Sequence, residues 1–198
     1  MRWCLVVLSL CVSCAEEQKQ SEPTDVVAIE LPELKKLDFG GDFVLTDQHG
    51  ERIHSKNLRG RIIFLFFGYT TCPDACPTTL SKLSQVYELL GDAEERIQVV
   101  WVTVDPERDT SDRTKAYLEY WPIPVIGLTG SREEIDAVAA NYGVYHKRSE
   151  EETEAGYLVD HTTLVYLIDG GGKLRYLSQP HDEPEVLVGL VRKILAEG

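Results

Sequence analysis

Phe67-Gly68-Tyr69-Thr70-Thr71-Cys72-Pro73-Asp74-Ala75-Cys76-Pro77-Thr78-Thr79-Leu80 is the stretch from which the rest of the chain can be read. The apolar run before it, Ile62 to Phe67, has the β-branched and aromatic content of a strand buried on both faces. After it, Leu80, Leu83, Tyr87 and Leu90 recur at helical spacing, and Gly91 ends the pattern. The stretch is therefore a tight loop with two thiols between a buried strand and an amphipathic helix. Pro77 suits the first helical position, which makes Cys76 the expected N-cap. Two sulfurs four residues apart at a helix start can form a disulfide or hold a metal.

Upstream, Phe43 to Thr46, the turn Asp47 to Gly50 and the return Glu51 to Ile53 predict an N-terminal β-hairpin, closed by a short turn over 55–58. Residues 31–36 read as linker. Downstream, Ile97 to Val104 is a second buried strand, stopped by Asp105-Pro106. Thr110 or Ser111 caps a helix to about Tyr120, and Val125 to Leu128 is a short strand. Ser131 with Glu134 forms a capping box that opens a helix to about Tyr142. Lys147 to Gly156 is charged and is expected to be a solvated loop or hairpin tip. Thr163 to Ile168 then predicts a central strand, with a turn at Asp169 to Gly172 and a return over Lys173 to Ser178. Glu185 to Ala196 is a closing helix. This order describes one domain, an α/β sandwich of the thioredoxin type with a central mixed β-sheet flanked by helices.

The 198 residues are enough for one domain with its own core, and 43% hydrophobic with 27% charged residues is ordinary for a globular protein. A formal charge of -13 argues against nucleic acid or anionic lipid as direct partners. Met1 to Ala15 carries one positive charge, a short apolar core and small residues at its end, the pattern of an export signal. Its apolar run is shorter than the roughly 20 residues needed to span a bilayer. The ending Cys11-Val12-Ser13-Cys14-Ala15 resembles a bacterial lipoprotein processing site with Cys14 acylated, although Cys11 stands where a leucine is usual. The expected division is an export signal over 1–14 lipidated at Cys14, a polar tether over 15–36, and the folded domain over 37–198. Cys4, Cys11 and Cys14 fall in the signal region, so the domain keeps only Cys72 and Cys76.

A thiolate at a helix N-terminus is stabilised by the partial positive charge there, and Cys76 is expected to benefit most. Soft thiolates favour Cu(I) or zinc, and two sulfurs with one imidazole suit low-coordinate Cu(I), whereas structural zinc would want a fourth ligand. Of the five histidines, His49, His54, His146 and His181 read as surface or loop residues. His161 stands just before the central strand, where a thioredoxin-like sandwich faces the helix that carries the cysteines. Asp160 beside it could orient the ring. Asp74, Asp105 and Asp109 fall near the site's edge and read as turn-forming and capping residues.

These residues give the chain a specific likeness. Phe67 to Leu80, Val102-Thr-Val-Asp-Pro-Glu-Arg-Asp-Thr110 and Tyr157-Leu-Val-Asp-His161 resemble the SCO/SenC family of copper-binding proteins, in the family's order. The likeness runs from about Leu37 to the C-terminus. It implies a thioredoxin-like fold and a copper chaperone that binds Cu(I), with Cu(II) as a further option, through Cys72, Cys76 and His161. It also implies delivery to the copper-site subunit of cytochrome c oxidase during assembly, with a copper donor upstream. Thiols that live among oxidants imply a thiol reductant as a further partner. Family members are membrane-tethered, on the periplasmic side in bacteria. A lipid on Cys14 would take the place of a transmembrane helix, making the chain an exported lipoprotein anchored to a membrane and facing the periplasm.

Three other uses are open to such a pair of thiols. A thiol–disulfide oxidoreductase that keeps the oxidase's copper-site cysteines reduced would use Cys72 and Cys76 as redox-active thiols. Against this as the main role stand the three-residue spacing between them and the lack of any proline from Val125 to Gln179. Peroxide reduction would want a proline in the loop before Cys72, and an inert disulfide would make no use of the flanking prolines or of His161. The reading is of a metal carrier rather than an enzyme, with disulfide chemistry as a secondary activity.

Overall fold

Strand β3 (Ile62–Gly68) is buried at every position, as its unbroken hydrophobicity requires of a strand covered on both faces. It pairs in parallel with the equally buried β4 (Ile97–Thr103) and antiparallel with β8 (Val165–Ile168). The structure is a computed structural model that describes residues 31–153 and 156–197, and the export signal, Cys14 and residues 15–30 lie outside the described residues. With β1 (Val44–Asp47), β2 (Arg52–His54), β5 (Val125–Thr129) and β9 (Leu174–Ser178), the sheet has seven strands in the order β2-β1-β5-β4-β3-β8-β9. The N-terminal hairpin thus extends the sheet, through β1 antiparallel to β5.

Alternation along the strands divides the core into two layers. On one face Phe64, Phe66, Val99 and Trp101 meet Leu80 and Leu83 of α1 (Ala75–Leu90), Leu118 of α2 (Ser111–Leu118) and Leu187 of α4 (Pro184–Glu197). On the other, Leu65, Phe67, Val100 and Val102 meet Ile135 and Val138 of α3 (Arg132–Asn141). The helix ends follow local chemistry: Thr110 caps α2 through its side chain, and Ser131 with Glu134 forms the expected capping box. Among the described residues no helix is long and apolar enough to cross a membrane.

Four expectations change. The N-cap of α1 is Asp74, so Cys76 and Pro77 lie inside the first turn. A proline there removes no intrahelical hydrogen bond, since first-turn N–H groups have no partner in any case, and so it does not fix the start. Residues 31–36, read as linker, are docked: Lys35 N donates to Arg175 O, and Leu31 and Leu34 pack on the α1–α4 side of the core. Pro32 excludes a helix but not this extended path. The charged segment after Tyr145 is a strand, β6 (His146–Thr153), paired antiparallel with β7 (Gly156–His161) in a separate two-stranded sheet. His161 is the last residue of that hairpin rather than part of a loop leading into β8, and its ladder partner is His146, a strand residue and not the loop position that its sequence neighbours suggest.

Candidate metal centre

Gly68 ends β3, and the chain turns sharply, with Cys72 N donating to Tyr69 O at 3.1 Å. This folds the Cys72 loop back over the first turn of α1, where Cys76 points into the core with no exposed surface. Across from them the end of β7 brings in His161. One ligand atom from each of Cys72, Cys76 and His161 lies within 4.8 Å of the others, and Cys72 and His161 are half-buried. No other cluster of three potential ligands occurs among the described residues. Both cysteines are free thiols. A glycine is required at position 68, because a Cβ there would run into the Cys76 sulfur and would lie 2.7 Å from Trp101 Nε1.

The two thiols are unequal, and in the opposite sense to that expected. Cys72 is the acidic one, its pKa brought down to about 3, chiefly by a hydrogen bond from Cys76, with further help from His161 and the backbone N–H groups of Asp74 and Cys76. Cys76 is pushed up because the Cys72 sulfur holds its proton and burial opposes its charge. The helix start does stabilise a thiolate, but the one that reaches its N–H groups comes from the preceding loop. His161 is oriented by its own backbone neighbourhood: ring Nδ1 lies 3.0 Å from the carbonyl oxygen of Thr162. A carbonyl only accepts, so Nδ1 carries a proton there, and Nε2 is the ring nitrogen left for a metal once the proton it shares with the Cys72 sulfur has gone. Asp160, expected to orient the ring, is exposed on the opposite face of β7. Of the other histidines, His146 has Nε2 3.3 Å from Asp136, and burial lowers its pKa.

A sequence model of the SCO1/SenC family matches residues 32–196. The chain belongs to the SCO1/SenC family. A curated relative, an SCO2-like protein of Rickettsia felis, is 39% identical over 156 residues, covering 76% of this chain and 76% of the relative. Among solved structures, Bradyrhizobium japonicum ScoI with copper bound is 36% identical with a TM-score of 0.72, covering 79% of this chain and 99% of that one. Arabidopsis thaliana ScoI with copper bound is 36% identical with a TM-score of 0.75, covering 81% and 99%.

The second block that carried the SCO1/SenC likeness, Val102 to Thr110, joins the two halves of the site. Asp109 is fully buried and accepts from Thr70 N at 3.0 Å and from Thr103 Oγ1 at 2.7 Å, which anchors the loop leading to Cys72. Asp105 accepts from Tyr157 Oη at 2.8 Å and pairs with Arg108, whose guanidinium lies 3.7 Å from the centre of the Tyr157 ring. That holds the β6–β7 hairpin and with it His161. Tyr69 bridges both halves: its Oη accepts from Val159 N at 3.3 Å, and its ring meets that of His161 edge-on at 5.7 Å. Sequence reasoning took Asp105 and Asp109 for turn and capping residues and did not single out Tyr69, Arg108 or Trp101. A cluster of charges directly after an all-apolar strand was the available signal.

Proposed function

We propose that this chain carries copper, as Cu(I) and in a second state as Cu(II), on Cys72, Cys76 and His161, and delivers it to the copper-site subunit of cytochrome c oxidase during assembly. The observation that carries the reading is the gathering of two sulfurs and one imidazole within 4.8 Å. Such a set is soft, matched to Cu(I) and one ligand short of structural zinc. The copper-bound relatives from Bradyrhizobium japonicum and Arabidopsis thaliana support it. Copper is cargo here, so its release matters as much as its capture. Cys72 and His161 are half-buried and Cys76 is enclosed. An incoming ligand meets the metal from the His161 and Cys72 side, and Cys76 lets go last. The test is anaerobic Cu(I) titration of the reduced protein beside His161→Ala. The variant should keep its fold and lose more than about 100-fold in affinity, the upper end for outer-shell partners alone. Equal stoichiometry and affinity would remove His161 from the site.

The division of the thiols favours a second activity. A Cys72 thiolate can attack a disulfide of a partner, releasing one partner thiolate and forming a mixed disulfide. Cys76 then attacks Cys72, releasing the second partner thiolate and leaving Cys72–Cys76 oxidised. A thiol reductant must restore the pair. All peptide bonds among the described residues are trans, so no cis-proline serves as a substrate clamp, which weighs towards copper as the main role. Disulfide reduction retained by His161→Ala with copper binding lost would mean that the two activities share only the cysteines.

The same reading makes residues 1–14 an export signal with Cys14 lipidated, residues up to about 30 a tether, and the site a periplasm-facing one supplied by a copper donor. Incorporation of labelled palmitate, lost in Cys14→Ser, tests the anchor.

A further inference from the structure

Trp101 sits in the middle of β4 with no exposed surface, and its indole N–H has no hydrogen-bond partner among the described residues. A buried bare donor is costly, and native structures rarely keep one without a use. The neighbourhood supplies the use. A Cβ at Gly68 would run into the Cys76 sulfur and would also stand 2.7 Å from Trp101 Nε1. The sulfur is the lone-pair atom that shares this space with the N–H. Tyr117 Oη and Trp121 Nε1 also lack a well-formed hydrogen bond, but these two interact with each other, and neither is among the atoms nearest that Cβ.

We propose that the Trp101 indole N–H is reserved for the Cys76 thiolate, donating a hydrogen bond to the sulfur once metal binding has displaced its proton to solvent. The proposal rests on the reading above, in which Cys76 is a copper ligand. A neutral thiol is a weak acceptor and a thiolate a much better one, so the bond strengthens only in the loaded state. Trp101 is a positioning residue that acts through Cys76 and does not touch the metal. A hydrogen bond to a ligating sulfur stabilises charge on it, which favours Cu(I) over Cu(II) and raises the potential of the couple. Gly68 is part of the same device, since any side chain there would part the indole from the sulfur.

The test uses the reduced protein with 15N-labelled indoles, titrated anaerobically with Cu(I), beside Trp101→Phe, which keeps an aromatic ring and removes the donor. The Trp101 indole proton should move downfield on loading, and further than that of Trp121. The variant should bind Cu(I) about tenfold more weakly and show a lower Cu(II)/Cu(I) potential. The wild-type spectrum decides even if the variant fails to fold. Cu(I) uptake with an unmoved Trp101 proton overturns the hydrogen bond and leaves the copper reading standing. No uptake by the wild type overturns both.

Discussion

Asp109 takes hold of Thr70 twice, accepting its amide N–H on Oδ2 and its hydroxyl on Oδ1. A residue just before the N-cap of α2 thereby fixes the point where the chain leaves β3 for Cys72. Burial raises the pKa of Asp109, outweighing the bonds from Thr70 and Thr103 that lower it. The folded state therefore binds this proton more tightly than the unfolded chain does. The associated stability is complete below the unfolded pKa and is lost as pH rises through the folded one. Asp109→Asn puts an NH2 group where one of the two accepting oxygens stood and should cost about 1 kcal/mol at acid pH. Because it does not titrate, its deficit should narrow from about pH 3 to about pH 7. Urea denaturation at both pH values checks this, and a deficit that widens with pH would refute the assignment.

Gly68→Ala tests the close approach at the end of β3. The added methyl meets the Cys76 sulfur and, at 2.7 Å, Trp101 Nε1, both held by a packed core. Overpacking of this kind costs about 1–3 kcal/mol. The melting temperature should fall, and Cu(I) affinity with it, because the sulfur has to shift. A variant as stable and as tight-binding as the wild type would mean that the first turn of α1 yields easily.

The inequality of the thiols can be read by alkylation. With Cys72 near pKa 3, its thiolate is already formed, and iodoacetamide should modify it first, at a rate nearly constant between about pH 5 and pH 8. Cys76→Ala removes the hydrogen bond that contributes most to this lowering. In that variant the rate should rise with pH along a midpoint displaced upwards. A pH-independent rate in Cys76→Ala would assign the effect to His161 and the helix start instead.

What the sequence disclosed and what it hid divide along physical lines. β3 and β4 declare themselves by unbroken hydrophobicity, and α3 by its capping box, because these are local properties of the chain. The direction each sulfur faces is not local, so the acidic thiol was assigned to Cys76 from its nearness to the helix start. β6 carries no apolar alternation: Lys147 and Arg148 are exposed, and the strand exists through its backbone ladder with β7. That is why His161 was expected in a loop rather than at a strand end. Asp109 and Thr70 stand 39 residues apart, beyond the reach of any periodicity. The three side chains that gather at the site could be named from the sequence because a soft metal restricts the choice of donors before any fold is known.

The hairpin that carries His161 depends on a side-chain clasp at its β7 strand, and Tyr157 is its accessible part. Tyr157 Oη donates to Asp105 at 2.8 Å, and its ring takes the guanidiniums of Arg108 and Arg148 at 3.7 and 3.9 Å. Tyr157→Phe keeps the ring and both stacking contacts and loses only the donor to a buried carboxylate. A hydrogen bond to a charged group contributes about 1.5–3 kcal/mol. Part of that loss should appear as local opening, since the hairpin is a sheet apart from the main one. Amide exchange at Val159 and Thr162 should quicken while that of β3 and β4 stays at the wild-type rate, and Cu(I) affinity should fall as His161 loses its fixed position. Arg108→Ala should do the same more strongly, because it removes one of the two stacked guanidiniums and leaves Asp105 without its cation. If exchange quickened uniformly across the sheet, the clasp would belong to global stability rather than to the positioning of His161.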